Sequence, residues 1–209
     1  MEQLMITLSQ IAFIFFQLED KKMSIVYLTS DSSVSNTGRL PKSWQTTEFY
    51  NGDDGHYQRG ITFPSPRFTV QDSEDCVKDN MTGLYWTLDG NLNDRATWSN
   101  QIIYCEALDL GGYTDWRLPN INEMFSLMDT QNGSAPLALP TFPTGHPFIN
   151  IKSRYLTDAL AADGWADLYW TSTTSQISST NAYWYQLWDA YVRASVKTSM
   201  YLAWPVRGG

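Results

Sequence analysis

Gly111-Gly112-Tyr113-Thr114-Asp115-Trp116-Arg117-Leu118-Pro119-Asn120-Ile121-Asn122-Glu123 is the stretch from which the rest of the chain can be read. Upstream of it, Thr97 stands at a helix N-cap position, and Trp98, Ile102, Cys105 and Leu108 follow at helical spacing. That helix is expected to end near Gly111-Gly112, with Cys105 facing the core. Inside the stretch, Asn120 can cap a second helix, with Glu123 three residues on as its capping-box partner. Met124, Leu127 and Met128 would form the buried stripe of that helix.

Beyond it the pattern changes. Residues 130–153 form a long Pro/Gly/Ser-containing loop. Short runs rich in Tyr, Trp, Thr and Val at 168–174, 182–188, 191–197 and 201–207 read as strands. On the other side, residues 76–87 read as strand, turn and strand. Residues 63–68 are extended, because each proline disfavours helix at the residue before it. Residues 49–60 pack Gly and Asp together as a loop, and 24–48 read as an irregular arm. Two short helices followed by antiparallel strands make an α+β plan. No internal repeat is present, so the expectation is a single domain over 41–209 behind an N-terminal extension over 1–40. The apolar run at 5–16 has the length of a signal peptide, but Glu2 stands where a basic flank belongs.

Composition narrows the function. The 209 residues carry a formal net charge of −8, with 43% hydrophobic, 14% aromatic and 17% charged residues. Such a chain folds, and it lacks the basic stripe that nucleic acid or heparin-like polyanions require. His56 and His146 have no second histidine at metal-ligand spacing. Asp53, Asp54, Asp72, Asp75, Asp158, Asp163 and Asp167 could offer oxygens to calcium, but the EF-hand spacing is absent and acidic loops are more often only solvated. No cofactor is expected, calcium being the one metal to consider. Cys76 and Cys105 leave two readings open, one bridge in a secreted protein or two buried free thiols. No nucleophile elbow and no phosphate-binding glycine loop occurs, so the chain is read as no enzyme.

The C-terminal run Asn181-Ala182-Tyr183-Trp184-Tyr185-Gln186-Leu187-Trp188-Asp189 alternates. Tyr183, Tyr185 and Leu187 make the better core face. The opposite face then leaves Trp184 and Trp188 near solvent with Gln186 between them, and Tyr191, Arg193 and Ser195 extend it on the next strand. Trp, Tyr and Arg dominate binding hot spots. The bland alternative is that both faces are buried.

Together these blocks resemble the Lcl C-terminal domain family of bacterial, archaeal and viral surface proteins. Pro41-Lys42, Gly52-Asp53-Asp54-Gly55, Pro64-Ser65-Pro66-Arg67-Phe68-Thr69 and Asp79-Asn80 carry the early part. Gly111-Gly112-Tyr113, Asp115 to Asn120, Gly145-His146-Pro147-Phe148, Tyr169 to Thr174 and Trp204-Pro205-Val206-Arg207-Gly208-Gly209 carry the rest. The resemblance implies a C-type-lectin-like fold, with two short helices flanking a central antiparallel sheet, and a non-enzymatic binding role outside the cell, on a cell or virion surface.

It also implies a relation to the variable proteins of diversity-generating retroelements, whose C-terminal strands alternate fixed with rewritten residues. The ligand-binding set placed here is Asn181, Trp184, Gln186, Trp188, Asp189, Tyr191, Arg193, Ser195, Thr198, Ser199 and Met200, with Ala194 also among the variable positions. The partner would be a protein or glycan on another cell or particle, and the chain could form a homo-oligomer. This sequence departs from the family pattern in having Ala190 where a glycine turn is usual. It also has Leu92 where relatives carry a cysteine, the family partner of the one at 105. The competing readings are a fixed adhesin, an oligomerisation module acting through residues 1–48, and an enzyme akin to the formylglycine-generating enzymes.

Overall fold

The computed structural model describes residues 18–19, 22–23, 40–71, 73, 75–129, 145–151, 168–187 and 190–209. The chain divides into two compact units, Met1–Leu40 and Pro41–Gly209. In the first, β1 (Leu18–Glu19) pairs antiparallel with β2 (Lys22–Met23). The apolar run at 5–16 lies outside the described residues.

The second unit opens with a one-turn helix, α1 (Asp54–Tyr57), where a plain loop was expected. Asp53 is the reason. Its carboxylate accepts the backbone N–H of His56 at 2.9 Å, those of Phe49 and Tyr50, and the Gln45 side-chain amide. Those donors hold the Asp53 carboxyl below its ordinary value, the Phe49 N–H contributing most. Gly55 is required there, since a Cβ would come 2.0 Å from the Thr47 carbonyl oxygen.

Next come β3 (Phe68–Val70), β4 (Cys76–Asp79) and β5 (Tyr85–Thr87), an antiparallel meander completed by β9 (Val206–Arg207) in the order β3-β4-β5-β9. Asp79 closes the β4–β5 turn by accepting from Met81 N and Thr82 Oγ1. The expected strand over 201–207 is shorter than its pattern, because Pro205 has no N–H to give a ladder. Its residues instead stitch elements together: Tyr201 bridges Ala96, Leu202 bridges Tyr169, and Val206 bridges Arg117.

Helix α2 (Trp98–Glu106) begins at Thr97, whose side chain makes no cap hydrogen bond. It stops well short of Gly111. The two glycines, both at positive φ, make the tight turn between Leu110 and Tyr113 instead. Helix α3 (Ile121–Ser126) carries both halves of the expected Asn120–Glu123 capping box. Met124 and Leu127 are fully buried, and Met128 half-buried.

A second antiparallel sheet has the order β6 (Leu168–Thr174), β7 (Asn181–Gln186), β8 (Tyr191–Val196). The architecture is α+β with antiparallel sheets. The single central sheet of the expectation is divided into a four-stranded and a three-stranded one.

Both faces of β6 and β7 are packed. Tyr169 and Tyr185 join Phe68, Val77, Trp86, Met124, Phe148 and Trp204 in the larger core, with Phe125 of α3 edge-on to Tyr185. Trp170, Ala182 and Trp184 join Cys105 and Leu118 in the smaller one, with Trp98 and Ile102 of α2 against it. The Trp98 indole donates to Thr171 O and that of Trp170 to Ala96 O, which fixes the start of α2 to β6.

Candidate functional site

Alternation puts Trp170, Trp184 and Arg193 in one cross-strand row and Leu168, Gln186 and Tyr191 in the next. The sequence reading assigned the β7 and β8 members of these rows to one face correctly and misjudged the burial of the β7 members. Trp184 is 8% and Gln186 3% exposed, so neither lies near solvent. Helix α2 and the segment around Tyr201 cover this face over β6 and β7, and only β8 emerges. Burial therefore falls along the row from a fully buried Trp170 to an exposed Arg193.

What emerges is supported from below. The Trp184 indole donates to Ser195 Oγ at 2.8 Å, and the Tyr201 hydroxyl donates to the same oxygen at 3.1 Å. The Trp184 ring lies 6.2 Å from that of Tyr191, and the Arg193 guanidinium sits 4.7 Å from the Tyr191 ring centre. Tyr191 is 39% exposed. Gln186 Nε2 is buried beneath this strand with no hydrogen-bond partner.

The other predicted positions scatter. Asn181 is half-buried opposite Val196, at the far end of β7 from Tyr191. Thr198 and Met200 are exposed and Ser199 half-buried, in a turn closed by Ser199 N donating to Val196 O. Lys197 holds that turn, its ammonium 3.9 Å from the Trp98 ring centre and donating to Thr174 Oγ1. Trp188 and Asp189 lie outside the described residues. Ala190 adopts φ 60°, so the turn in which the resemblance implied a glycine is left-handed here with an alanine.

Cys76 and Cys105 are free and buried, which decides the open question between bridge and thiols. Burial pushes the Cys76 thiol up and that of Cys105 up to about 12. Of the acidic calcium candidates, Asp72, Asp158, Asp163 and Asp167 lie outside the described residues. Among the described residues no group of three or more His, Cys, Asp or Glu is gathered as a metal site. Asp54 bonds Ser43, and Asp53 is occupied by the donors above.

Sequence reasoning missed a cleft. Trp44, the Phe63–Phe68 segment, Asp129, Gly145 and His146 enclose a cavity of about 560 Å³. At its base Arg67 forms a two-point ion pair with Asp79, Nε to Oδ1 at 3.2 Å and Nη2 to Oδ2 at 3.0 Å. The signal in the sequence was a lone Arg67 between prolines and phenylalanines, an unusual setting for a charge that is to stay in water.

The antiparallel α+β scaffold thus brings polar and aromatic groups to solvent at a sheet edge and lines a side cleft with them. The chain belongs to the Lcl C-terminal domain family, whose model matches residues 75–207, and so is a domain of the adhesin-like, surface-associated kind. The blocks between Pro41 and Thr69 lie upstream of the matched residues. A comparison with curated proteins finds no match.

Proposed function

We propose that the domain is a non-catalytic recognition module, extracellular or on a cell or virion surface, that engages a protein or glycan ligand through β8 and the turn after it. The observation that carries this reading is the Tyr191–Arg193 pair, presented on the strand at the sheet's edge and backed by a Trp184 ring pinned through Ser195. Arg and Tyr over a rigid aromatic floor give contact area and directional donors at small entropic cost. The contact set narrows to Tyr191, Arg193, Thr198, Ser199 and Met200. Trp184 and Gln186 act as support, because free replacement of buried side chains would cost several kcal/mol. Diversification by a retroelement then falls on the β8 end of the 181–203 segment. A near-copy of those codons beside a reverse transcriptase gene, differing mainly at adenines, would support that finer reading.

Glycan and protein arrays probed with the full chain and with a Tyr191→Ala/Arg193→Ala variant test the main reading. The signal on a verified ligand should drop at least about tenfold with the near-ultraviolet circular dichroism unchanged. An undiminished signal would sink it. The rival enzyme needs a reactive thiolate, and raised thiol pKa values favour the non-catalytic reading. Native thiol titration at about pH 8 should find neither cysteine reactive, and both should react once the chain is unfolded. The third rival, oligomerisation through residues 1–48, rests largely on residues outside those described.

A further inference from the structure

The edges of the two larger sheets are finished differently. Beside β6, Trp170 N donates to Leu202 O, Leu202 N to Leu168 O and Ser172 N to Pro119 O. Beside β9, Arg117 and Val206 exchange both of their backbone hydrogen bonds, at 2.8 and 2.9 Å. β3 is only three residues long. β8 runs for six residues, with β7 as its one neighbouring strand among the described residues.

The ladder shows which backbone groups of β8 face outward. Asn181 turns away from β8, donating to Ser178 O and accepting from Ser175 N, while Lys197 N donates to Thr180 O. Ala182, Trp184 and Gln186 therefore bond Ser195, Arg193 and Tyr191, and Val192 and Ala194 point their N–H and C=O away from β7. An outward row of strand donors and acceptors is a template for one more strand.

Charge selects that strand. From Leu168 to Gly209 the sequence has Arg193, Lys197 and Arg207 against a single acid, Asp189, in a chain of net charge −8. Asp189 lies outside the described residues. Arg207 is paired with Asp115, whereas no carboxylate pairs with Arg193 or Lys197 among the described residues. Arg193 and Lys197 fall on one face, about 13 Å apart along an extended chain. A second copy of β8 would bring more cations and no acid, which disfavours self-pairing and leaves an acidic strand the better match. The opposite face of β8 is Val192, Ala194 and a half-exposed Val196.

We propose that β8, in the recognition role given to it above and resting on it, takes an extended acidic peptide segment of a partner protein as an added strand. Acidic residues alternate with apolar ones in that segment. One carboxylate lies opposite Arg193, in the closer, non-hydrogen-bonded kind of pair, and a second reaches toward Lys197. The apolar residues lie beside Val192 and Ala194 and exchange backbone hydrogen bonds with them.

Fluorescence polarisation on the full chain tests it, with the labelled peptide Thr-Glu-Val-Glu-Val-Glu-Thr-amide as probe. Its Lys-for-Glu counterpart, and the Glu peptide N-methylated at both valines, should each bind at least tenfold more weakly. Arg193→Glu should weaken the Glu peptide at least tenfold and improve the Lys peptide. Ala194→Pro removes an outward N–H and leaves the β7 ladder whole; it should weaken the Glu peptide with the near-ultraviolet circular dichroism unchanged. No binding of the Glu peptide up to about 1 mM, equal binding of the Lys or N-methylated peptide, or stronger competition from 3′-sialyllactose than from unlabelled peptide would each overturn the proposal. An array ligand that is no acidic strand, lost with Tyr191→Ala/Arg193→Ala, would sink this inference and leave the recognition role standing. An undiminished array signal would sink that role itself.

Discussion

Arg67 and Arg193 are the same residue type in opposite employment. Arg67 is held by Asp79 at two points and by a helix-end carbonyl, beneath phenylalanine rings. Arg193 rests on one tyrosine ring and is otherwise in water. A charge removed from water must be matched in place, and its partners become part of the core. A charge left at the surface costs nothing to hold and stays available to a ligand. The contrast separates scaffold from display in this domain.

The largest effect should follow from breaking the buried pair. Asp79→Ala strips Arg67 of its counter-ion and leaves Met81 N and Thr82 Oγ1 without an acceptor. Stability to urea should fall by about 3–5 kcal/mol, the usual cost of an uncompensated buried charge. Replacing both partners, Arg67→Met with Asp79→Leu, should recover much of that loss. If Asp79→Ala costs under about 1 kcal/mol, Arg67 finds water and the contrast with Arg193 collapses.

Trp184 lies between the two regimes, buried like the first and serving the second. Trp184→Phe removes the indole donor to Ser195 and some ring volume, and should cost about 1–3 kcal/mol. Thermal unfolding measures that part. The sharper readout is ligand affinity, which should weaken although Trp184 does not face solvent, because Tyr191 loses its backing.

Much of this was legible in the sequence, and the misses share a physical cause. The Asn120–Glu123 box, the 168–196 strands and the inward Cys105 are local or periodic signals, and each stands as read. Period-two alternation reports which residues share a face. It does not report what covers that face. The cover over Trp184 comes from α2 and Tyr201, and Arg67 is held in by Asp79 and the Ser126 carbonyl, groups that alternation cannot report. The Gly111-Gly112 pair was likewise read as a helix stop, when a two-glycine turn and a C-cap carry the same residues.

His146 offers a smaller test of the cleft's dryness. Its pKa lies below the ordinary 6.5 because burial disfavours the imidazolium. As pH falls through about 6.5, the unfolded chain takes up a proton that the folded chain resists. Unfolding free energy should therefore decline from about pH 7 toward pH 5, levelling once pH passes the folded value. In a His146→Gln variant that slope should shrink. An unchanged slope would mean the imidazole is wetter than its burial implies, and the Arg67 neighbourhood less closed than argued.

The smallest expected change is the most informative about display. Arg193→Ala deletes an exposed cation–π contact worth about 0.5–1 kcal/mol, and frees the remaining chain of an ordered long side chain, which offsets part of it. The net change in urea stability should stay within about 0.5 kcal/mol. Its worth as a measurement lies in the pairing with affinity, since a position that is silent in folding and loud in binding has no structural duty to confuse the reading. A loss above about 1 kcal/mol would show that Arg193 braces the edge of the β6–β8 sheet. The two arginines would then differ only in degree, and the contact surface would have to be sought at Thr198 and Met200 instead.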